Sequence, residues 1–297
     1  MINDLIFYRP DLDLTLNLSM DKTNDYILGE GTTDLGTVTV ARKTYKFVNQ
    51  IGEYLENSQV GARTISVVGY IIANSDKQMT ERKSFLNKFF NPTKEIYLYY
   101  KNYQLNFYPD SSVQYGISVQ ENNEVICNFK FTGYCPDPLF KDKAESQKST
   151  YEVISKFTFP FVIKPVVFGE IQKTDFLHIE NKGHMETGMQ IIFEAQRAVV
   201  NPKITNVETL EFIKINKELQ SGEKIIINTE DGQKRISGYL PDNDMPIKYY
   251  VYKDFDSTWL KLNIGENNFL ISADSGVENL VCTIIYKNKY MEVQECD

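Results

Sequence analysis

From Asp11 to Met20 the chain reads DLDLTLNLSM. Leu12, Leu14, Leu16, Leu18 and Met20 hold every second position, with Asp11, Asp13, Thr15, Asn17 and Ser19 between them. Successive side chains of an extended chain point to opposite faces, so this alternation fits a strand with one buried and one wet face. The two-residue period dominates most of the remaining chain. GTVTVA (residues 36–41) reads as another strand. RTISVVGYIIA (residues 63–73) is so continuously apolar that it is expected to be covered on both faces. The 19 Tyr and 18 Phe favour strands in the same way.

One stretch breaks the pattern. SDKQMTERKSFLNKFF (residues 75–90) carries Met79, Phe85, Leu86, Phe89 and Phe90 at helical spacing. Ser75 and Gln78 have the spacing of a capping box, and Asn91-Pro92 stops the helix. This stripe is expected to be core packing against a sheet.

The remaining segments read as strands and tight turns. Residues 94–109 form a hairpin turning at Lys101-Asn102, and residues 113–133 a second one turning near Asn122-Asn123. Residues 141–150, KDKAESQKST, are polar and without period and follow Pro136 and Pro138, which marks a boundary loop. Beyond it, GEKIIINTEDGQKRISG turns at Asp231-Gly232 and NLVCTIIYKNKYMEV at Asn288. A length of 297 residues suits two domains, placed at 1–150 with a helix near 75–90 and at 151–297. The expected class is mainly β, with a β-barrel or sandwich carrying one helix, then a β-sandwich built of short strands.

Composition excludes several functions. A net charge of −8 without a basic run gives no footprint for sequence-specific nucleic acid binding. The longest uncharged run, residues 64–75, is shorter than the ~20 apolar residues that span a bilayer, so no membrane insertion is expected. The opening residues show no basic segment followed by an apolar core, so no secretory signal is expected and the chain is read as made in the cytoplasm. Cys127, Cys135, Cys282 and Cys296 lack the spacing of a zinc or redox pair and read as structural thiols.

The chain has two histidines, His178 and His184, each with a glutamate two residues on, Glu180 and Glu186. If Asn181-Lys182-Gly183 is a hairpin loop, Glu180 faces His184 and His178 faces Glu186 on the outer side. Leu177, Ile179, Met185, Met189, Ile191 and Phe193 then fill the inner side. A flat wet face is poor at holding a metal, so the quartet reads as solvated cross-strand pairs. The sequence contains no G-x-S-x-G elbow, P-loop or H-E-x-x-H, and 40 Asp and Glu give no separation from which to pick a glycosidase pair. No catalytic, metal or cofactor residue is nominated, and no cofactor is expected.

The order of features is more specific than any one of them. GARTISVVGYI, one amphipathic helix, a hairpin and CPDPLF (residues 135–140) are followed by FPFVI, NKGHMETGMQIIFEAQ, VVNPKITN, SGEKIIINTEDGQK and DSTWLKLNIGENNFLIS. This succession resembles the distal tail protein family of bacteriophage tails, across nearly the whole chain. Arg197 and Leu210 stand where that pattern has glycine, which suggests locally altered turns. The resemblance implies a non-enzymatic structural protein of the virion tail tip, assembled in the host cytoplasm. Its first domain would close into a homohexameric ring continuing the tail tube, and a galectin-like β-sandwich would radiate from it. The implied partners are the tail tube protein, a tail-associated hub or lysin protein, and receptor-binding proteins.

The alternative is a carbohydrate-binding protein using the second domain. KYYVYKDFDSTW (residues 248–259) places Tyr249, Tyr250, Tyr252 and Trp259 near acids, and these four are the candidate glycan contacts.

Overall fold

The computed structural model describes residues 4–21, 23–30, 32, 35–36, 38–49, 51–116, 125–155 and 169–293. The expected turn at Asn122-Asn123, the FPFVI segment and Cys296 lie outside the described residues. The chain divides into two compact units. One comprises residues 1–143 together with 290–297, and the other residues 144–289.

The first unit contains β1 (Asp4–Arg9), β2 (Leu14–Ser19), β3 (Tyr26–Leu28), β4 (Val40–Tyr45), β5 (Tyr54–Val60) and β6 (Arg63–Ile72). After α1 (Asp76–Phe89) come β7 (Ile96–Tyr100), β8 (Tyr103–Pro109), β9 (Gln114–Tyr115), β10 (Ile126–Cys135) and β11 (Phe140–Asp142). Seven strands run in the order β8-β7-β1-β2-β3-β6-β10, and pairing of β8 with β10 closes them into a barrel. The opening alternation supplies β2. Leu16 and Leu18 lie opposite Phe7 and Leu5 of β1, and all four are buried. Leu12, read as part of that strand, sits exposed in the turn that precedes it. In β6 the inner residues Ile65, Val67 and Ile71 are buried while Ser66, Val68 and Tyr70 are half-buried, so the outer face is covered only in part. Gly29 N and the Thr32 hydroxyl both donate to Val68 O there. Among the described residues of GTVTVA, Val40 and Ala41 are strand, opening β4.

The helix forms where its pattern places it. The Ser75 hydroxyl accepts from Gln78 N at 3.3 Å, and Gln78 Oε1 accepts from Asn74 N at 2.8 Å, one residue ahead of a standard capping box. Met79, Leu86 and Phe89 are buried, and Phe90 at the C-cap enters the barrel core. Its ring stacks on Phe131 at 4.0 Å and meets Phe7 edge-on at 5.6 Å. No helix among the described residues is long and apolar enough to cross a membrane.

The second unit contains β12 (Ser146–Ser149), β13 (Tyr151–Ser155), β14 (Gly169–Lys173), β15 (Phe176–Asn181), β16 (Met189–Ala195), β17 (Val199–Val200) and β18 (Lys203–Asn206). β19 (Phe212–Lys214), β20 (Glu218–Leu219), β21 (Lys224–Asn228), β22 (Arg235–Leu240), β23 (Asn243–Lys248), β24 (Gly265–Ser272) and β25 (Leu280–Tyr286) come next. A six-stranded sheet, β12-β25-β16-β21-β22-β23, and a four-stranded sheet, β15-β24-β18-β19, share one core. Ile191, Phe193, Ile225 and Ile284 fill it from the first sheet, and Ile179, Ile204, Ile213 and Phe269 from the second. This is a β-sandwich.

Two local readings are corrected. Residues 141–150 are not a structureless linker: β11 pairs with β8, β12 pairs with β25, and the units part between Lys143 and Ala144. The last strand, β26 (Lys289–Tyr290), does not fold back on β25 as a hairpin. It joins β11 at the edge of the first unit's sheet, where the Tyr290 ring meets Tyr103 edge-on at 5.1 Å.

Candidate functional site

The histidine segment is not a hairpin. β15 runs antiparallel to β24, which puts His178 opposite Asn268 and Glu180 opposite Glu266, while β16 lies between β21 and β25 in the other sheet. Asn181 makes the corner. Its buried amide donates to Met185 O at 3.0 Å and Leu262 O at 3.1 Å, and its Oδ1 accepts from Gly183 N at 2.9 Å. The chain crosses between sheets here, so the expected Glu–His pairs are separated.

Each member of the quartet therefore has its own surroundings. His178 Nδ1 lies 2.8 Å from Asn268 Oδ1, and Asn268 Nδ2 donates to Glu208 Oε1 at 2.5 Å. That hydrogen bond holds the Glu208 carboxyl below the usual carboxylate range. Glu186 and Asp231 share Lys261, at 2.6 and 2.9 Å. Among the described residues no three His, Cys, Asp or Glu gather as a metal site. Cys127, Cys135 and Cys282 are buried, and burial pushes the Cys135 thiol up to about 12 and the Cys282 thiol upward as well, which suppresses thiolate chemistry.

The four aromatic candidates separate into two pairs. Tyr249 is buried, its ring lies against Gly238 so closely that a methyl there would collide with it, and it meets Tyr252 edge-on at 5.3 Å. Its hydroxyl donates to Glu223 Oε1 at 2.7 Å, which also receives Lys217 Nζ at 2.6 Å. Burial pushes the Glu223 carboxyl upward, but the hydrogen bonds from Lys217 and Tyr249 outweigh it and leave it below the ordinary value. Burial and the Glu223 contact raise Tyr249 to about 12. Tyr249 and Tyr252 thus belong to the packing around a closed ion pair. Tyr250 is 59% exposed and stacks on the half-buried Trp259 at 6.2 Å. Only this pair faces outward, beside Val251 and Phe255, which are exposed as well.

Sequence reasoning missed a larger surface. β4 and β5 pair only with each other, and every described residue from 40 to 60 is exposed. Tyr45, Phe47, Val48, Ile51, Tyr54 and Leu55 project from this arm into solvent. An isolated two-stranded hairpin is marginal in water, and contiguous apolar exposure of this kind marks an interaction surface. The mixed string VARKTY hides the arm, because its polar and apolar residues do not alternate cleanly.

Residues 17–130 match the family described as phage tail protein RIFT-related domain, and residues 182–290 that described as siphovirus-type tail component, C-terminal domain. No curated protein matches in sequence. The crystal structure of Dit (gp 19.1) of phage SPP1, described as a paradigm of the hub adsorption apparatus in phages infecting Gram-positive bacteria, is similar at 10% identity. It covers 96% of this chain and 98% of its own, with a TM-score of 0.66. A chain of the phage P2 baseplate in its activated conformation with Ca is similar at 13% identity, covering 98% and 99%, with a TM-score of 0.53. These likenesses establish the shared fold, and the two family matches succeed one another along most of the chain. The chain belongs to the siphovirus-type distal tail proteins, structural components of the phage tail.

Proposed function

We propose that the protein acts without catalysis, as a homohexameric ring at the distal end of the tail tube. The first unit forms the ring, and the second is the galectin-like domain that radiates from it. The ring joins the tube protein on one side and the tail-associated hub or lysin protein on the other, with receptor-binding proteins at its rim. The observation that carries this reading is the pair of family matches in order along one chain. The bare β4–β5 arm supports it, since a surface of that kind requires a partner. A net charge of −8 also suits a ring that DNA passes through without binding.

Negative-stain electron microscopy of the purified protein at high concentration, with light scattering on the same sample, tests the proposal. Six-fold rings of matching mass are expected. A particle that stays monomeric overturns self-assembly. It leaves the exposed Tyr250–Trp259 pair, checked on a glycan array, as the basis of a carbohydrate-binding role.

A further inference from the structure

The four-stranded sheet β15-β24-β18-β19 carries an ordered outer face. Phe176 lies opposite Leu270, Leu270 opposite Thr205, and Thr205 opposite Phe212, so one row of side chains crosses all four strands. Their neighbours Leu177, Phe269, Ile204 and Ile213 point the other way into the core, which turns the row toward solvent. Phe176 is 51% exposed and Leu270 37%. With strands ~4.8 Å apart the row is about 14 Å long.

Polar groups flank the row on both sides in fixed positions. On one side the Glu208 carboxylate accepts from Asn268 N at 3.2 Å and from Asn268 Nδ2 at 2.5 Å. That orients the Asn268 amide with Oδ1 toward His178 Nδ1, 2.8 Å away. An amide oxygen only accepts, so Nδ1 carries the proton, and in a neutral imidazole Nε2 is then the acceptor. His178 is exposed and follows Phe176 on the same face of β15. On the other side Asp274 accepts from Lys214 Nζ at 3.0 Å and from Asn201 Nδ2 at 2.8 Å, while Lys203 Nζ stands 4.1 Å from the centre of the Phe212 ring. Glu208, Lys214 and Asp274 are thus matched within the face itself, which suits a neutral ligand rather than an ion. Such a ligand needs an apolar flank for Phe176 and Leu270 and hydroxyls along its edges. A pyranose has both, C–H bonds on its faces and hydroxyls around its rim, and an apolar platform with a few placed polar groups is how small polar molecules are held.

We propose that this face binds a neutral oligosaccharide, with the C–H face of one ring on Phe176 and Leu270 and a hydroxyl of the same sugar donating to His178 Nε2. The site uses neither residue of the Tyr250–Trp259 pair. It adds a ligand to the second unit and stands independently of the ring.

The full chain is applied to an array of neutral and acidic oligosaccharides. The strongest neutral hit is then titrated calorimetrically into the parent, Phe176→Ala, His178→Ala and Trp259→Ala chains, each checked for unchanged folding by circular dichroism. At least one neutral oligosaccharide is expected to bind. Phe176→Ala and His178→Ala should each weaken it about tenfold, the scale of one lost stacking contact or hydrogen bond, and Trp259→Ala should leave it unchanged. If either alanine variant fails to fold, Thr205→Arg, which fills the middle of the row, takes its place with the same expected loss. An array with no neutral hit, or with acidic hits alone, overturns the proposal. So does binding that survives both row substitutions. Binding lost in Trp259→Ala and kept in Phe176→Ala places the sugar on the Tyr250–Trp259 pair and overturns this face. None of these results bears on whether the chain forms rings, so the site can fail while the ring stands.

Discussion

At Leu210 the backbone holds φ at +62°, the left-handed region where a Cβ crowds the following carbonyl at about 1–2 kcal/mol. The turn is closed around it: Leu210 N donates to Asn206 O, and Asn206 Oδ1 accepts from Glu208 N and Thr209 N. A leucine in place of glycine suggested an altered turn, but the chain takes the conformation a glycine would and bears the strain. The side chain is 74% exposed, so burial does little to offset it. Leu210→Gly should therefore raise stability by about 1 kcal/mol. A higher denaturant midpoint with unchanged slope is the expected reading, and a lower midpoint would show the leucine packs on something. Tyr249 carries the opposite lesson. In sequence it was as good a glycan contact as Tyr250, because a tyrosine suits a wet surface and a closed polar network equally. Only the fold brings Lys217 and Glu223 to its hydroxyl.

Among elements, the helix was legible and its far end was not. Its stripe and its cap at Ser75 are contiguous in sequence, whereas the group that caps its C-terminus comes from β1. Buried Arg9 donates to Lys88 O and, at 3.2 Å, to Phe89 O, and is gripped by Asp11 at 2.7 and 3.0 Å. A cation there satisfies carbonyls left over at the end of the helix and opposes its dipole. Arg9→Ala should destabilise the first unit by about 3 kcal/mol, more than the roughly 1 kcal/mol expected of Ser75→Ala. Chemical denaturation of the two variants side by side checks the order, and equal losses would refute the role given to Arg9. The same distinction explains the strands. The 96–109 hairpin could be read because its partners adjoin, but a period of two tells which face is buried and not which strand is next. Hence β15 and β16, amphipathic neighbours in sequence, belong to different sheets, and β26 leaves β25 for β11. The short strands β11 and β12 read as a boundary loop because their few residues have little buried face to display.

For the whole molecule, the first unit is discontinuous, since residues 290–297 belong with residues 1–143. Arg63, 1% exposed, donates to Met291 O and lies 4.6 Å from the centre of the Phe140 ring. Ending the chain at Lys289 removes that acceptor and the Tyr290–Tyr103 contact, and should destabilise the first unit by about 2–3 kcal/mol. In scanning calorimetry the first unit's transition should fall while the second's stays in place. A common shift of both would show that the units melt as one. The discontinuity also bears on how the protein is born. At ~5–20 residues per second, the ribosome takes about 7–30 s to make residues 144–289. Through most of that interval the barrel strands are already made while the strand that pairs with β11 has yet to be translated. The sandwich is a continuous segment and can fold as it emerges, but the barrel unit is completed only by residues made after it. A nascent chain stays incomplete at that edge until synthesis has passed through the second unit, which delays finished copies until both cores are in hand.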